Sequence, residues 1–471
     1  MTDYKYRPSD IGKTLLEIFI EQGLRQPEAP CGGKGRCGKC LIRCEGVLSA
    51  PDENEIKLLA GREGYRLACL ARCEGDFSYG TAEEIRADIQ TDFSGEVTDS
   101  SDTRKLLAVD IGTTTVALYI INNGEVVDRI SFVNPQGGHG ADVISRLVFA
   151  GEGGAEALKT ELCDAIAPYA EGIDGCVICG NTAIEHFVTG EDASGIAKLP
   201  FTPASLFGKE YDMPFGKTYI APCVAAYVGG DITCGAVACG IDVADELTLY
   251  IDIGTNGEIV LADGERALCC AAAAGPAFEG ANIECGCIAK SGAIDKVWYD
   301  TELKYKTIGG APAVGICGSG LIDCVSALLS SGELDETGYL NEDRYYLGDV
   351  YISQKDIRSL QTAKAAIAAG IKTLLHEMKK PVTAVKRVMI AGGFGMHIDP
   401  DSACDIGLIP QELRGRIEFM GNCAGLGAVN CALSEAQRKR TEDFAARLEY
   451  IELSGHRKFN QLYVDEMFFG E

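Results

Sequence analysis

The chain is poor in positive charge. Its 471 residues include 43 lysines and arginines against 69 aspartates and glutamates, which gives a formal net charge of −26. Nucleic acids and anionic membranes attract basic surfaces, so this balance argues against both kinds of partner. No stretch approaches the ~18 apolar residues of a membrane-spanning helix, and the opening MTDYKYRPSD lacks the apolar core of a signal peptide. We therefore expect a cytoplasmic protein.

The sequence also lacks the cysteine pattern of a secreted, disulfide-bonded domain, although it contains 21 cysteines. Their number is odd and their spacing is scattered, with direct neighbours such as Cys269 and Cys270. Free thiols at this density are typical of a reducing compartment and suggest an anaerobic cell. With 46% hydrophobic residues, the chain is long enough to form two or three domains with cores of their own.

One group of cysteines has the spacing of a metal-cluster ligand set. CGGKGRCGKC is followed by RLAC, so that three close cysteines precede a fourth after 28 further residues. This pattern differs by one residue from that of plant-type ferredoxins, and its glycines let the backbone wrap closely around inorganic sulfide. The predicted 2Fe-2S ligands, and hence the predicted electron-transfer site, are Cys31, Cys37, Cys40 and Cys69. Zinc is the chemical alternative, and Cys44 and Cys73 could replace members of the set.

The chain divides into a small N-terminal part and a larger remainder. We predict an α/β protein in which residues 1–82 form a ferredoxin-like domain of the β-grasp type and the polar residues 83–104 form a linker. Fully extended, that linker spans at most ~70 Å, so we expect the N-terminal domain to swing between partners. The predicted subdomains beyond it are residues 105–245 and 246–415, with residues 416–471 returning to the first and ending in a C-terminal tail.

An internal repeat dominates the larger part. LLAVDIGTTTVALYIINNGE and, about 140 residues later, LTLYIDIGTNGEIVLADGE each contain two apolar strands joined by a Gly-Thr turn. In each copy the turn can offer N–H and hydroxyl groups to a phosphate, and the aspartate before it can hold a hydrated magnesium ion. A third apolar strand, VMIAGGFG, ends in a glycine turn where adenosine could pack. The repeat predicts two related halves that face one central cleft.

In the order DIGTTT, DIGTNGE, GICGSGL and AGGFG, these motifs resemble the ribonuclease-H-like superfamily of sugar kinases, acetate kinase, actin and heat-shock chaperone ATPases. The resemblance implies that ATP contacts Gly112, Thr113, Thr114, Thr115, Gly254, Thr255, Asn256, Gly257, Gly318, Ser319, Gly392, Gly393 and Phe394. It also implies that two small-residue helices, within residues 224–237 and 422–429, cross between the halves as a hinge.

ATP hydrolysis needs a carboxylate near the attacking water and a metal ion that neutralises charge on the leaving phosphate. The candidate carboxylates are Asp110, Asp231 and Asp252, and the predicted cofactors of this part are ATP and Mg²⁺. Asp231 could instead cap a helix that starts at Ile232. Glu258, which directly follows the second turn, could be catalytic or simply a solvated charge on a strand.

A longer set of segments resembles one family closely, the ATP-dependent reductive activators of corrinoid proteins. The segments include FVNPQGGHGADVISRL, ICGNTAIEHF, AAAAGPAFEGANIECG and QKDIRSLQTAKAAIAAGI. The resemblance implies one-electron reduction of an inactive Co(II) corrinoid to Co(I), with ATP hydrolysis and an electron from a 2Fe-2S cluster. It further implies two partners, the corrinoid protein of a methyltransferase system and an electron donor, and it suggests a homodimer.

Other classes of function stay open at this point. Activators of 2-hydroxyacyl-CoA dehydratases and benzoyl-CoA reductases combine the same ATPase fold with a 4Fe-4S cluster shared across a dimer. Cys285 with Cys287, or Cys176 with Cys179, could serve such a cluster, although small buried thiols explain them as well. A small-molecule kinase with a redox module and a nucleotide-switched scaffold without redox activity are the remaining alternatives.

Overall fold

A computed structural model describes residues 2–22, 24, 27, 29, 32–36, 40–59, 64–81, 91–93, 95–98, 102–140, 142–254, 256–392 and 398–470. Five residues with predicted roles lie outside these ranges, and their roles stay predictions: Cys31, Cys37, Thr255, Gly393 and Phe394. None of the described helices is both long and apolar enough to cross a lipid bilayer.

The N-terminal part is a four-stranded antiparallel sheet with a helix packed on it. In the order β1-β4-β2-β3, its strands are β1 (Thr2–Tyr4), β2 (Leu41–Leu48), β3 (Tyr65–Leu67) and β4 (Cys73–Thr81). Helix α1 (Leu15–Glu21) begins after the capping residue Thr14 and packs Phe19 against Tyr79 of β4, with 4.8 Å between the ring centroids. Helix α2 (Glu53–Leu59) follows β2. The assignment of this part to the β-grasp ferredoxins stays a prediction.

The first half of the repeat forms a six-stranded sheet in the order β7-β6-β5-β8-β10-β9. Its strands are β5 (Lys105–Ile111), β6 (Thr115–Asn122), β7 (Glu125–Val133), β8 (Gly175–Gly180), β9 (Lys209–Met213) and β10 (Gly216–Ile220). Strands β5, β6 and β7 are antiparallel neighbours, whereas β8 is parallel to both β5 and β10. The helices of this half are α3 (Val143–Phe149), α4 (Ala155–Ile166), α5 (Thr182–Thr189) and α6 (Gly230–Ala238).

The second half repeats this topology in the order β20-β19-β11-β12-β13-β21. The strands of this sheet are β11 (Thr248–Ile253), β12 (Gly257–Ala262), β13 (Ala267–Ala272), β19 (Arg387–Ala391), β20 (Ile417–Gly421) and β21 (Leu448–Tyr450). Again three antiparallel strands are followed by two that run parallel to the first. The strand order therefore matches across five strands of each sheet, as the repeated DIGT hairpin predicts.

Smaller elements complete the second half. Two short sheets are formed by β14 (Ala293–Tyr299), β15 (Leu303–Thr307) and β16 (Gly315–Ile316), and by β17 (Arg344–Leu347) and β18 (Val350–Ser353). The helices are α7 (Gly318–Ser331), α8 (Gln354–Met378), α9 (Pro400–Asp405), α10 (Cys423–Leu433), α11 (Glu435–Arg447) and α12 (Arg457–Asp465). The largest apolar core lies here, between the β11–β13 sheet and helices α7 and α8.

Two helices of small residues cross between the halves. Helix α6 follows the first sheet but packs against the second, and α10 follows the second sheet but packs against the first. The helices touch where glycine leaves no side chain between them: a Cβ atom at Gly427 would lie 2.3 Å from Cys234 O, and one at Gly235 would lie 3.3 Å from Ala424 N. The predicted pair of crossing helices is therefore present, and glycine sets how closely the helices approach.

Replacing Gly427 with alanine is expected to destabilise the larger part by about 2 kcal/mol or more, because the added methyl group collides with a backbone carbonyl rather than a movable side chain. Chemical unfolding followed by circular dichroism measures the change. Gly151→Ala is the control, since a Cβ atom there meets nothing within 4 Å. An equal free energy of unfolding for the two variants would contradict the close packing of α6 against α10 at Gly427.

Part of the predicted linker packs against this core. Tyr119 Oη donates to Thr91 O (3.1 Å), and Asn422 N donates to Asp92 O (3.1 Å). The ring of Phe93 lies 5.8 Å from that of Tyr119. Residues 91–93 of the linker thus lie beside the start of α10.

Candidate functional site

The first phosphate turn joins β5 to β6. Gly112 N donates to Thr115 O (2.8 Å), which closes the turn and leaves Thr113 and Thr114 at its tip. Asp110 lies just before it on β5, half-buried, and its Oδ2 accepts a hydrogen bond from Asn422 Nδ2 (2.8 Å). Burial raises the pKa of Asp110 to about 6. The carboxylate of Asp110, in the first half, is therefore hydrogen-bonded by Asn422, the residue that caps α10 after the second sheet.

The second phosphate turn repeats this arrangement at the end of β11. Gly254 N donates to Asn256 O (2.9 Å), and Asp252 precedes the turn as Asp110 precedes the first. Burial, and secondly the charge of Asp110, raises the pKa of Asp252 to about 7. Asp110 thus lies close enough for its charge to disfavour ionisation of Asp252.

The adenosine motif begins next to Asp252. Gly392, the residue after β19, has a φ of +88°, and a Cβ atom there would lie 2.6 Å from Asp252 Oδ1. Glycine is therefore required at this position both for the backbone conformation and for the approach to the carboxylate. The contact of Gly392 with nucleotide stays a prediction. The position of Gly392 beside the second phosphate turn is consistent with such a contact.

Asp231 lies in the first turn of α6. The helix begins at Gly230 after Gly229, so the alternative that Asp231 caps a helix starting at Ile232 is wrong. Its Oδ1 accepts from Ile232 N (2.8 Å) within the helix. Burial, followed by the charges of Asp252 and Asp110, raises the pKa of Asp231 to about 8. The three predicted carboxylates, two from the first half and one from the second, are therefore close enough for the charges of Asp252 and Asp110 to act on Asp231.

Two further acids belong to this group. Glu258 is half-buried on β12, and burial, followed by the charges of Asp231 and Asp252, raises its pKa well above the usual value. Glu185 of α5 is fully buried and accepts from Gly180 N (3.1 Å), and its pKa is raised mainly by burial. The sequence did not indicate Glu185 as a site residue, because nothing in ICGNTAIEHF shows that its glutamate is buried.

A hydrated cation fits this acidic group. Among the described residues, no three histidine, cysteine or acidic side chains converge tightly enough to coordinate a metal ion by themselves. Mg²⁺ commonly keeps several waters and takes one or two carboxylates together with phosphate oxygens. Carboxylates whose pKa values are raised by burial are stabilised in their charged form by such an ion. Asp110 and Asp252 fit that requirement, each preceding a phosphate turn.

The predicted cluster ligands that the structure describes lie together. Cys40 Sγ and Cys69 Sγ are 3.2 Å apart and buried, and Ala68 N donates to Cys40 O (2.9 Å). The alternative ligands are placed differently: burial raises the pKa of Cys44 to about 11, and Cys73 Sγ donates to a carbonyl within its own strand. Cys40 and Cys69 thus fit a shared metal centre, whereas Cys44 and Cys73 are core thiols.

Three glycines before Cys40 have backbone conformations that favour glycine. Gly32, Gly33 and Gly35 all have positive φ values, from +61° to +72°. A Cβ atom at Gly33 would lie 3.9 Å from Cys69 Cβ, so this loop passes directly beside one of the two thiols. Glycine permits both the backbone conformation and the close approach.

Two predicted nucleotide contacts lie at the start of α7. Gly318 is its first residue, and Ser319 is buried with its Oγ donating to Asp295 O (3.2 Å). The Ser319 hydroxyl is therefore already engaged by the protein, and its role toward nucleotide stays a prediction. Cys176 and Cys179, which the alternative cluster would use, are buried on β8, with Cys179 Sγ 3.9 Å from Asp110 Oδ1.

Comparison with known proteins identifies the family. Residues 106–244 match the family model described as the RACo middle region, and residues 246–471 match that of the C-terminal domain of RACo, the ASKHA domain. The corrinoid activation enzyme RamQ of Eubacterium limosum is 30% identical over 418 residues, which is 78% of this chain and 70% of that protein. The chain belongs to the RACo family.

Other RACo-type proteins give the same assignment. A solved structure of a reductive activator for a corrinoid, iron-sulfur protein is 29% identical with a TM-score of 0.70, covering 100% of this chain and 99% of that one. The Co(II) methylated amine-specific corrinoid protein reductase of Methanosarcina barkeri is 26% identical over 293 residues, 57% of this chain and 54% of that protein. The prediction of a corrinoid-activator family and of an actin- and sugar-kinase-like fold is confirmed.

The acidic group joins the two regions matched by the RACo models. Asp110, Asp231 and Glu185 belong to the middle region, whereas Asp252 and Glu258 belong to the ASKHA domain. Residues 1–105 precede both matches. In this RACo-family chain, the site therefore depends on the packing of the two halves.

Proposed function

We propose that this protein reduces the inactive Co(II) state of a corrinoid protein to Co(I) by one electron, with hydrolysis of ATP. The observation that carries the proposal is the likeness to RamQ, a corrinoid activation enzyme, over 78% of the chain. The paired phosphate turns and the acidic group beside them add independent physical support. In this proposal the ATPase halves are residues 105–245 and 246–415, completed by residues 416–471.

On the nucleotide side, the two turns would bind the phosphates of ATP, with Asp110 and Asp252 holding Mg²⁺ through water. Bound Mg²⁺ supplies positive charge that stabilises the leaving phosphate. Asp231 lies between the two aspartates in sequence and near them in space, and its carboxylate would orient the attacking water and accept its proton. Gly392 leaves room beside Asp252 for the adenosine motif to approach.

On the electron side, Cys31, Cys37, Cys40 and Cys69 would hold a 2Fe-2S cluster in a ferredoxin-like domain of residues 1–82. The cluster supplies single electrons at low potential. Burial of Cys40 and Cys69 excludes water from that centre. An ATP-driven change in the packing of the two halves would favour a bound form of the corrinoid protein that is easier to reduce.

The proposed partners are the corrinoid protein of a methyltransferase system and an electron-donor protein, and the proposed assembly is a homodimer in the cytoplasm. The formal charge of −26 supports neither nucleic acid nor anionic membrane as a partner. The methyl donor of the system is set by the corrinoid partner, which titration against several purified corrinoid proteins would identify.

The test mixes the reduced protein with a purified Co(II) corrinoid protein under anaerobic conditions and follows the absorption band of Co(I). Co(I) is expected with ATP and not with ADP or without nucleotide. Equal Co(I) formation without ATP, or none at all with any of several corrinoid proteins, would overturn the proposal. ATP-dependent reduction of a dehydratase or reductase activating site, or phosphorylation of a small molecule, would favour the alternatives named above.

A further inference from the structure

The first phosphate turn is held from one side by the segment that follows β7. Asn134 Nδ2 donates to Gly112 O (2.8 Å), and Asn134 N donates to Thr114 O (2.8 Å). Between them, Arg146 Nη2 donates to Thr113 O (2.6 Å). Three successive carbonyl groups of the turn are therefore bound by only two residues.

These contacts fix the direction of the N–H groups of the turn. In a trans peptide unit, the C=O group and the following N–H group point in opposite directions. Because the carbonyls of Gly112 and Thr113 face Asn134 and Arg146, the N–H groups of Thr113 and Thr114 face the other side of the turn. Neither N–H group donates to another described residue. Both are thus available to an anionic ligand.

Arg146 also places a positive charge behind the turn. Its side chain is 1% exposed, and its other contacts are from Nε to Gly140 O (2.9 Å) and from Nη1 to Gln136 Oε1 (3.3 Å). All three acceptors of this guanidinium group are neutral. Burial lowers the pKa of Arg146 to about 10, so the side chain stays charged at neutral pH. Burial of this cation is costly, the charges of Asp142 and Glu161 offset part of the cost, and a bound polyphosphate would offset more.

The position of this cation matters because the rest of the site is acidic. Burial raises the pKa values of Asp110, Asp231, Asp252 and Glu258, and the charges of neighbouring aspartates raise those of the last three further. The combined negative field of these acids opposes the approach of a polyphosphate. Mg²⁺ offsets part of that repulsion where the carboxylates lie. Arg146 contacts the carbonyl side of the first turn, and none of those four carboxylates hydrogen-bonds to its guanidinium group.

We propose that Arg146, together with Asn134, is a positioning residue for the ATP phosphates: it fixes the first turn with its N–H groups toward the nucleotide and supplies the positive charge behind them. The inference rests on the proposed function, because it takes the turn to be an ATP site. The inference assigns a physical role to residues 132–147, one of the segments that resemble the corrinoid-protein activators. The sequence of this segment alone does not reveal that role.

The test compares the affinities of the full chain for ATP and for adenosine by calorimetry, in the wild type and in the variants Arg146→Lys and Arg146→Met. Arg146→Met is expected to weaken ATP at least tenfold and to change adenosine less than twofold, since adenosine has no phosphates. Arg146→Lys keeps the positive charge but not the forked geometry of the guanidinium group. We therefore expect its ATP affinity to lie between that of the wild type and that of Arg146→Met. The tenfold ratio persists in 0.5 M NaCl, because a buried charge is little screened.

Arg129→Met is the matched control, since Arg129 is an exposed arginine of β7 that contacts the Phe93 ring and not the turn. If Arg146→Met does not fold, Asn134→Ala decides the matter, with a selective loss of ATP affinity expected. Equal loss of ATP and adenosine, or an Arg146→Lys variant no better than Arg146→Met, would overturn the inference. A wild-type protein that binds adenosine but not ATP would overturn the proposed function and the inference with it.

Discussion

Replacing Cys40 with serine is expected to lower ATP-dependent formation of Co(I) at least 100-fold while ATP hydrolysis stays within twofold of the wild type. The Cys40 thiol lies 3.2 Å from that of Cys69, and a serine hydroxyl is a poor substitute for a thiolate ligand of iron. The nucleotide site lies in other sheets, so its chemistry does not depend on this residue. Iron content, the visible spectrum and the rates of both reactions measure the effect.

Cys73→Ser is the matched control for this variant. Cys73 is buried in the same small sheet, and its Sγ donates to Gly75 O (3.4 Å), a bond that a hydroxyl can also make. The Cys73→Ser variant is expected to keep its iron content and its ATP-dependent formation of Co(I). A Cys40→Ser variant with full iron content, or equal loss in both variants, would exclude Cys40 as a cluster ligand and would favour a structural role for the thiols.

Replacing Asp231 with asparagine is expected to slow ATP hydrolysis by about 100-fold or more, with ATP affinity changed only a few-fold. General-base catalysis contributes about 10²–10⁴-fold, and only the charged carboxylate can supply it. Asparagine keeps the Oδ1 that accepts from Ile232 N, so the helix start is preserved. Steady-state hydrolysis and calorimetric binding of ATP separate the two effects.

The pH profile offers a second measurement on this variant. Since the pKa of Asp231 is raised to about 8, its ionised fraction grows with pH, and the wild-type rate is expected to rise between pH 6 and 8. The residual rate of Asp231→Asn should rise less. Asp128→Asn, an exposed aspartate of β7, serves as the control. Unchanged hydrolysis in Asp231→Asn would show that another acid, with Glu258 the first to test, orients the water.

The architecture of the larger part could be predicted because its information is local and repeated. Each copy of the repeat carries an apolar strand, an aspartate and a Gly-Thr turn within a few residues, and the copies predict the matching sheets. The crossing helices were expected only from the resemblance to the sugar-kinase and actin superfamily, and the structure adds the glycine contact between them. Gly427 and Gly235 lie at that contact.

What the sequence did not reveal depends on contacts between distant residues. Arg146 reaches Thr113 across 33 positions, and nothing in its neighbourhood distinguishes it from a surface arginine of an amphipathic helix. The start of α6 at Gly230, rather than at Ile232, also depends on a distant residue. A Cβ atom at Gly230 would lie 2.2 Å from Glu185 Oε1, so glycine allows the helix to begin against this buried glutamate.

The docking of Thr91 and Asp92 beside α10 shortens the tether of the N-terminal sheet. Strand β4 ends at Thr81 and the docked stretch begins at Thr91, so the nine residues and ten peptide links between these points span at most ~36 Å, about half the ~70 Å of an undocked linker. Halving the radius of reach reduces the accessible volume about eightfold and raises the effective concentration of the cluster domain near the ATPase by the same factor. If the N-terminal part carries the proposed cluster, we expect it to deliver electrons to a partner bound close to α10.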